Sequence, residues 1–268
     1  MGWGGRDLAV RFGEDIALDG VTVEIPPGTI TVVVGGDGAG KTTLLRVLAG
    51  ALDPTSGHVD RPDPRRIGYV AAAPGGYQDL TVVENLSFAA VAYGAGRGRI
   101  EDLASRTGLW EARRRLARNL SGGMRRKLGV AMALVHGPDL LVLDEPTTGV
   151  DPVSRVDLWR MFAGAAAAGA AVVLATTYVD EAERAGSVLV LDQGRTLLAG
   201  PPDEVAARVP GSVLDAPRPP SGMEAWRRGS RWRAWSLDGR APEGTRLVPP
   251  DLEDAVIVAS LAETGKAA

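Results

Sequence analysis

"VVVGGDGAGKTTLL", residues 32–45, decides how this sequence is read. Three valines form an apolar run that breaks off in Gly35, Gly36, Gly38 and Gly40, with a lysine immediately after. Residues 35–42, GGDGAGKT, fit the pattern G-x-x-x-x-G-K-[ST], with a strand pattern before them and a helix pattern after. Glycines let the backbone curl so that successive N–H groups point inward, an anion nest at a helix N-terminus. Gly35, Gly36, Asp37, Gly38, Ala39 and Gly40 are therefore read as a phosphate cradle. Lys41 supplies the charge for the β- and γ-phosphates and Thr42 a hydroxyl for Mg2+, with Thr43 next to it. The 30 basic residues include only three lysines, Lys41, Lys127 and Lys266. A compact ammonium suits this position better than arginine's planar fork, which explains the exception. No arrangement of these glycines gives G-x-G-x-x-G opening the helix, so a dinucleotide fold is a poorer fit.

Outward from the loop, apolar runs alternate with helix patterns. Strands are expected over 21–25, 29–35, 66–70, 139–144, 170–176 and 187–192. Helices are expected over 41–49, from the Thr81/Glu84 capping box through 82–93, over 100–118, over 124–136 and from Val153. Such alternation predicts an α/β fold, a mostly parallel sheet with helices on its faces. The run "LLVLDEP" (140–146) is an apolar strand ending in two carboxylates. Asp144 at the strand end can hold Mg2+, and Glu145 can orient or deprotonate a water.

Composition sets limits. The 268 residues allow one sizeable domain and a smaller one; 45% are hydrophobic and 24% charged, as in ordinary globular proteins. A net charge of −3 gives no support to a nucleic-acid binder, and the absence of cysteine excludes a disulfide scaffold or a cysteine metal site. The opening "MGWGGRDLAV" has no long apolar core, and no stretch reaches the roughly 20 apolar residues of a membrane span. Any membrane role is expected to run through a partner.

The stretch "LSGGM" (120–124), ahead of the carboxylate strand, resembles the signature motif of the ATP-binding-cassette (ABC) ATPases, usually LSGGQ. The resemblance covers roughly residues 6–205 in the family's order. It implies a P-loop NTPase of the ABC type, with antiparallel N-terminal strands, a helical signature subdomain at about 75–137, a cassette over 1–205 and a small C-terminal α/β region over 206–268. It also implies that Leu120, Ser121, Gly122, Gly123 and Met124 close over ATP held by a second subunit, that Phe12 stacks on adenine and that Asp151 of "TTGVD" is the D-loop acid. Met124 in place of glutamine resembles cassettes serving exporters. The expected ligands are ATP and Mg2+, and the expected activity is ATP hydrolysis coupled to transport. The expected partners are a transmembrane permease and a second cassette, the same or different, at the cytoplasmic face of the membrane; no nucleic acid is expected.

Two family positions depart from the pattern. Ala72 stands where the family places a glutamine that reaches Mg2+ and the attacking water, and Thr177 stands where a histidine contacts the γ-phosphate. Phosphoryl transfer depends mostly on positioning and electrostatics, so these losses should slow hydrolysis more than binding, each by about 10²-fold. Beyond Gly200 the composition shifts toward Pro and Gly. "WRRGSRWRAWSL" (226–237) alternates around "RWRAWSL" as a half-exposed strand, although its arginines with Trp226, Trp232 and Trp235 also suggest base stacking, and "PPDLEDAVIVASL" (249–261) reads as a turn and an amphipathic helix. Competing readings are a soluble ABC ATPase acting on ribosomes or DNA, a non-hydrolysing regulatory module, and a small-molecule kinase.

Overall fold

The computed structural model describes residues 2–73, 75–96, 98–263 and 265; Lys266 lies outside them. The chain opens with β1 (Trp3–Phe12), β2 (Asp15–Ile25), β3 (Ile30–Val34), α1 (Lys41–Leu48), β4 (Ser56–Asp60) and β5 (Ile67–Val70). A helical stretch follows with α2 (Val82–Ala92), α3 (Gly98–Arg106) and α4 (Gly122–Leu134). Then come β6 (Leu140–Asp144), α5 (Pro152–Ala167), β7 (Ala171–Thr176), α6 (Val179–Ala182), β8 (Ser187–Asp192), β9 (Arg195–Gly200) and α7 (Pro202–Ala207). The tail holds β10 (Ser212–Ala216), β11 (Ala225–Arg228), β12 (Arg231–Ser236), β13 (Arg246–Val248) and α8 (Leu252–Glu263).

The central sheet has the order β5-β6-β7-β3-β8-β9, parallel except for the antiparallel edge strand β9. Strands β6 and β7 are buried along their whole length, because layers cover both faces of the sheet. Alternation divides their side chains between two cores. Val33, Val142 and Val173 pack with Leu44, Leu45 and Leu48 of α1 and with Leu8 and Leu18 of the N-terminal strands. Val32, Leu141 and Val172 pack on the opposite face with Val130 of α4 and with Leu158 and Phe162 of α5.

The N-terminal strands form an antiparallel sheet in the order β2-β1-β4. The β1–β2 hairpin is longer than the run 21–25 suggested, and His58 of β4 lies opposite Arg6. The helical stretch has a core of its own around Leu86, Leu109, Leu128 and Val135. The helix expected over 100–118 ends at Arg106. Gly108 takes φ 69° there and the Thr107 hydroxyl bonds the Leu103 carbonyl, which stops the helix; short 3-10 turns at Trp110–Ala112 and Ala117–Asn119 replace the rest.

The tail folds its strands into a second antiparallel sheet, β11-β12-β10-β13. It is not packed separately throughout. Leu252 and Ala255 of α8 share the core of the central sheet with Val205 of α7 and Ala182 of α6. Trp226 Nε1 donates to Asp254 Oδ1 at 3.2 Å, fastening the β11–β12 hairpin to α8, and Trp235 Nε1 donates to the Pro210 carbonyl at 2.7 Å. Two of the three indoles that suggested base stacking are thus engaged inside the protein.

Candidate nucleotide site

The parallel strands deliver the predicted residues to one edge of the sheet. In the register, Val34 of β3 lies opposite Thr176 of β7, and Asp144 of β6 lies opposite Ala175. Gly35, Glu145 and Thr177 therefore leave adjacent strands at nearly the same level, at the carboxyl ends where open α/β sheets bind ligands.

Two glycines of the loop are required by close approach. A Cβ on Gly35 would lie 2.3 Å from the Leu191 carbonyl oxygen. Gly40, the residue before α1, has φ 98°, and a Cβ there would lie 2.6 Å from the Ala17 carbonyl oxygen. Around Gly36 and Gly38 nothing lies within 4 Å of such an atom, so this side of the loop is open. Asp37 is exposed, Ala39 is buried and Thr43 is half-buried.

Lys41 is only 6% exposed, and its Nζ donates to the carbonyls of Gly35 (2.8 Å) and Gly36 (2.9 Å), 3.9 Å from Glu145 Oε1. Thr42 Oγ1 donates to Asp144 Oδ1 at 3.1 Å. Asp144 is 1% exposed. Burial pushes its carboxyl above the ordinary range, the Thr42 hydrogen bond pulls it down, Glu145 pushes it up again, and Arg46 and Lys41 pull it down. Glu145 sits at φ 46°, a left-handed conformation uncommon for a side-chain-bearing residue. Its N–H donates to the Ala175 carbonyl at 3.0 Å and its Oε2 accepts from Thr148 Oγ1 at 3.1 Å, which hold this turn in place.

Phe12, near the tip of the β1–β2 hairpin, is 52% exposed and so lies outside the core. Ala72 and Thr177 are exposed, Thr177 just past β7 and Ala72 just past β5, whose Val70 pairs with Leu143. The turn 120–124 lies on other elements. Ser121 caps α4, accepting from the Met124 N–H at 3.2 Å; Leu120 is buried, and nothing crowds Gly122. Gly123 packs against the start of α5, where a Cβ would lie 2.3 Å from Ser154 Oγ and 3.2 Å from Asp151 Oδ2. Asp151 caps α5, and its hydrogen bonds with Ser154 hold its carboxyl below the ordinary range. Among the described residues, no hydrogen bond joins this turn to the loop 35–42.

Several supporting residues escaped sequence reasoning. The Gly194 N–H donates to the Ala39 carbonyl, and the Gly194 carbonyl accepts from the Asp19 N–H, so the β8–β9 turn braces the loop. Arg195 fixes that turn to Asp19 at 2.8 Å. Glu181 is buried; it accepts from Thr147 Oγ1 at 2.9 Å and from Trp159 Nε1 at 3.5 Å, with Arg155 Nε 3.9 Å away. It ties the segment after Glu145 to α6. Glu181→Ala strips two buried donors of their acceptor and should destabilise the fold by about 2–4 kcal/mol, read as a fall in the thermal midpoint. An unchanged midpoint would show that water replaces the carboxylate there.

Comparison with known proteins bears on this geometry. The family described as "ABC transporter" matches residues 18–148. The chain is 35% identical over 220 residues to the daunorubicin resistance ATP-binding protein DrrA3 of Streptomyces coeruleorubidus, covering 76% of this chain and 70% of that protein. The chain belongs to the ABC transporter ATP-binding family. The cassette is also 42% identical over 201 residues to the probable multidrug ABC transporter ATP-binding protein YbhF of Escherichia coli (strain K12), over 70% of this chain but only 35% of that protein. A solved structure titled "Structure of ATP binding subunit of ABC transporter" matches with a TM-score of 0.69 at 27% identity, covering 76% of this chain and 92% of that one. The expected α/β fold with its mostly parallel sheet is that of these cassettes.

The residues present suit ATP with Mg2+. The open face at Gly36 and Gly38 leaves room beside main-chain N–H groups for a polyphosphate. Among the described residues no three His, Cys, Asp or Glu side chains come together. A cation would therefore rely on Thr42 and Asp144, with phosphate and water oxygens completing the shell, the sparse protein contribution usual for Mg2+.

Proposed function

We propose that this cassette is the ATP-binding subunit of an ABC exporter, that it holds Mg-ATP at an interface with a second cassette, and that its own site hydrolyses ATP slowly. The observation that carries the reading is the Thr42–Asp144 hydrogen bond of 3.1 Å beside the Lys41 ammonium, a cation site and a phosphate charge on one open glycine loop. In this reading Gly35, Gly36, Asp37, Gly38, Ala39, Gly40 and Thr43 cradle the phosphates and Phe12 packs on the base. Bound Mg2+ would neutralise phosphate charge. Lys41 adds a fixed positive charge, and Glu145, 3.9 Å from it, orients or deprotonates the water.

Residues 1–205 form the cassette in this proposal, with the helical subdomain at about 75–137, and 206–268 an accessory region. The open Gly122 and the Ser121 cap support a second anion contact facing another subunit, because the turn's own contacts are to α5 and not to the loop 35–42. A different cassette bearing the missing histidine would pair two unequal sites. Exposed Tyr77, Phe88, Val91 and Tyr93 on and beside α2 support docking of a permease, with the Tyr77 and Phe88 rings edge to face at 4.8 Å. Among the described residues no helix is long and apolar enough to cross a membrane, so the spanning part is assigned to that partner and the cassette to the cytoplasmic face. Similarity to daunorubicin resistance and probable multidrug ABC transporter ATP-binding proteins supports the outward direction.

The test is binding of a slowly cleaved ATP analogue with and without Mg2+. No affinity in either case overturns the reading. Thr177→His tests the slow site. Position 177 is exposed and level with Gly35, so an imidazole has room, and turnover of the purified protein should rise by about tenfold or more. Unchanged turnover with unchanged analogue binding would remove this explanation of the defect. The alternative of a non-hydrolysing regulatory module is favoured if analogue binding persists while no partner cassette elicits turnover.

A further inference from the structure

A cleft of about 630 Å³ opens where α3, α4 and α5 end, against the segments that lead into β6 and β7. Pro138, Asp139, Gly169 and Ala170 line it, so it lies at the amino ends of these strands, whereas the loop 35–42 follows the carboxyl end of neighbouring β3. Its size suits a drug-sized molecule. Leu103, Leu134 and Met161 line it and stay only half-buried, although each packs against a core. Gly164 of α5 adds open space: nothing lies within 4 Å of a Cβ placed there.

Four arginines and three aspartates also line the cleft. Arg66 is paired with Asp139, Arg106 with Asp102 at 3.5 Å and Arg160 with Asp157 at 3.3 Å. Arg99 of α3 is the charge left over: among the described residues it has no carboxylate partner. Its guanidinium lies over Gly137, where a Cβ would be 2.7 Å from Nη2. The three pairs are exposed, where an ion pair contributes little, so their arginines can turn to a bound anion at small cost. Helix C-termini ordinarily favour cations, and three meet here. Several of their end carbonyls are already engaged, however. The Thr107 hydroxyl donates to the Leu103 carbonyl, the Gly137 N–H to the Leu134 carbonyl, and the Gly169 and Ala170 N–H groups to the Ala166 and Ala165 carbonyls. The uncompensated charge beside this apolar lining is therefore positive.

We propose that this cleft binds a small amphipathic anion, an apolar body carrying a carboxylate, sulfonate or phosphate: the body covers Leu103, Leu134 and Met161, and Arg99 meets the charge. The site is separate from the glycine loop and does not depend on the ATP reading given above. An occupant touches α3, α4 and α5 together, so its binding stabilises their packing.

The probe is 8-anilinonaphthalene-1-sulfonate, an amphipathic anion that fluoresces when its rings leave water, with uncharged N-phenyl-1-naphthylamine for comparison. Both are titrated into the full chain with and without Mg2+ and a slowly cleaved ATP analogue. About one sulfonate should bind per chain, more tightly than the uncharged amine and unaffected by the analogue, and it should raise the thermal midpoint. Arg99→Gln should weaken the sulfonate by about tenfold and leave the amine unchanged. Gly164→Leu should abolish binding of both, because its side chain fills the cleft, and leucine suits a helix better than glycine. Should that variant fail to fold, Ala168→Leu, at an exposed position on the same wall, blocks the cleft instead. No sulfonate binding, equal affinity for sulfonate and amine, or an affinity unmoved by Arg99→Gln overturns the proposal. Sulfonate binding that survives the blocking variant, or that the ATP analogue displaces, lies elsewhere on the protein and overturns it as well.

Discussion

Lys41→Ala should weaken binding of a slowly cleaved ATP analogue by about a hundredfold or more, measured by calorimetry on the purified protein. A unit charge near a phosphate oxygen in a partly shielded site contributes about 4 kcal/mol at an effective dielectric of 20, and about 3 kcal/mol already corresponds to a hundredfold. The structure supplies reasons for a large effect. The ammonium is buried, is oriented by the Gly35 and Gly36 carbonyls, and lies 3.9 Å from Glu145, so it reaches the ligand already in place. Truncation leaves two loop carbonyls without their donor and removes the cation nearest Glu145. Lys41→Arg separates the two contributions. It keeps the charge but brings a planar fork into a space shaped for an ammonium, so binding should fall less than turnover. Affinity unaltered by Lys41→Ala would mean that the glycine loop holds no phosphate.

The loop's shape was legible because it is local: Gly35 to Thr42 are consecutive, and the strand and helix on either side fix their orientation. The placement of Asp144 and Glu145 was legible for a similar reason, since an apolar run of this length ending in two acids reads as a buried strand carrying them to a sheet edge. What could not be read depends on side chains that meet across the fold. Gly194 braces Ala39 from a turn between two distant strands, and a turn glycine carries no record of what it touches. Arg126 looked like one more basic residue on a helix, and nothing in the run around it says that its guanidinium reaches the Ala71 and Ala73 carbonyls. The helix expected over 100–118 was too long for a different reason. Polar, helix-favouring residues continue past Gly108, but the left-handed glycine ends the hydrogen-bonded spiral whatever the propensities beyond it. The longer first hairpin was missed because irregular register between β1 and β2 breaks the strict alternation that marks a strand.

Asp144→Asn should move stability and ligand binding in opposite directions. Asp144 is almost wholly buried, its neighbour Glu145 is acidic, and the net result is a carboxyl raised above the ordinary range. A carboxylate with a raised folded pKa binds its proton more tightly in the folded chain than in the unfolded one. The wild type therefore gains stability as pH falls through that raised value and forfeits it at neutral pH, the reverse of a salt-bridged aspartate. Asparagine keeps an oxygen to accept from Thr42 and removes the charge. At pH 7 and without nucleotide, the variant should be more stable by about 1–2 kcal/mol, a rise in thermal midpoint of roughly 2–6 °C. That advantage should shrink on acidification, as the wild-type carboxyl becomes neutral as well. With Mg2+ and a slowly cleaved ATP analogue the order should invert. The wild type gains stability from the ligand by mass action, whereas an amide in place of the carboxylate forfeits the metal contact and about a hundredfold or more of the Mg2+-dependent affinity. Thermal denaturation of both proteins at pH 5 and pH 7, each with and without ligand, reads all of these effects. A ligand-free variant less stable than the wild type at pH 7 would mean that Lys41 and Arg46 outweigh the cost of burial, and that the site does not hold its carboxylate in waiting for a cation.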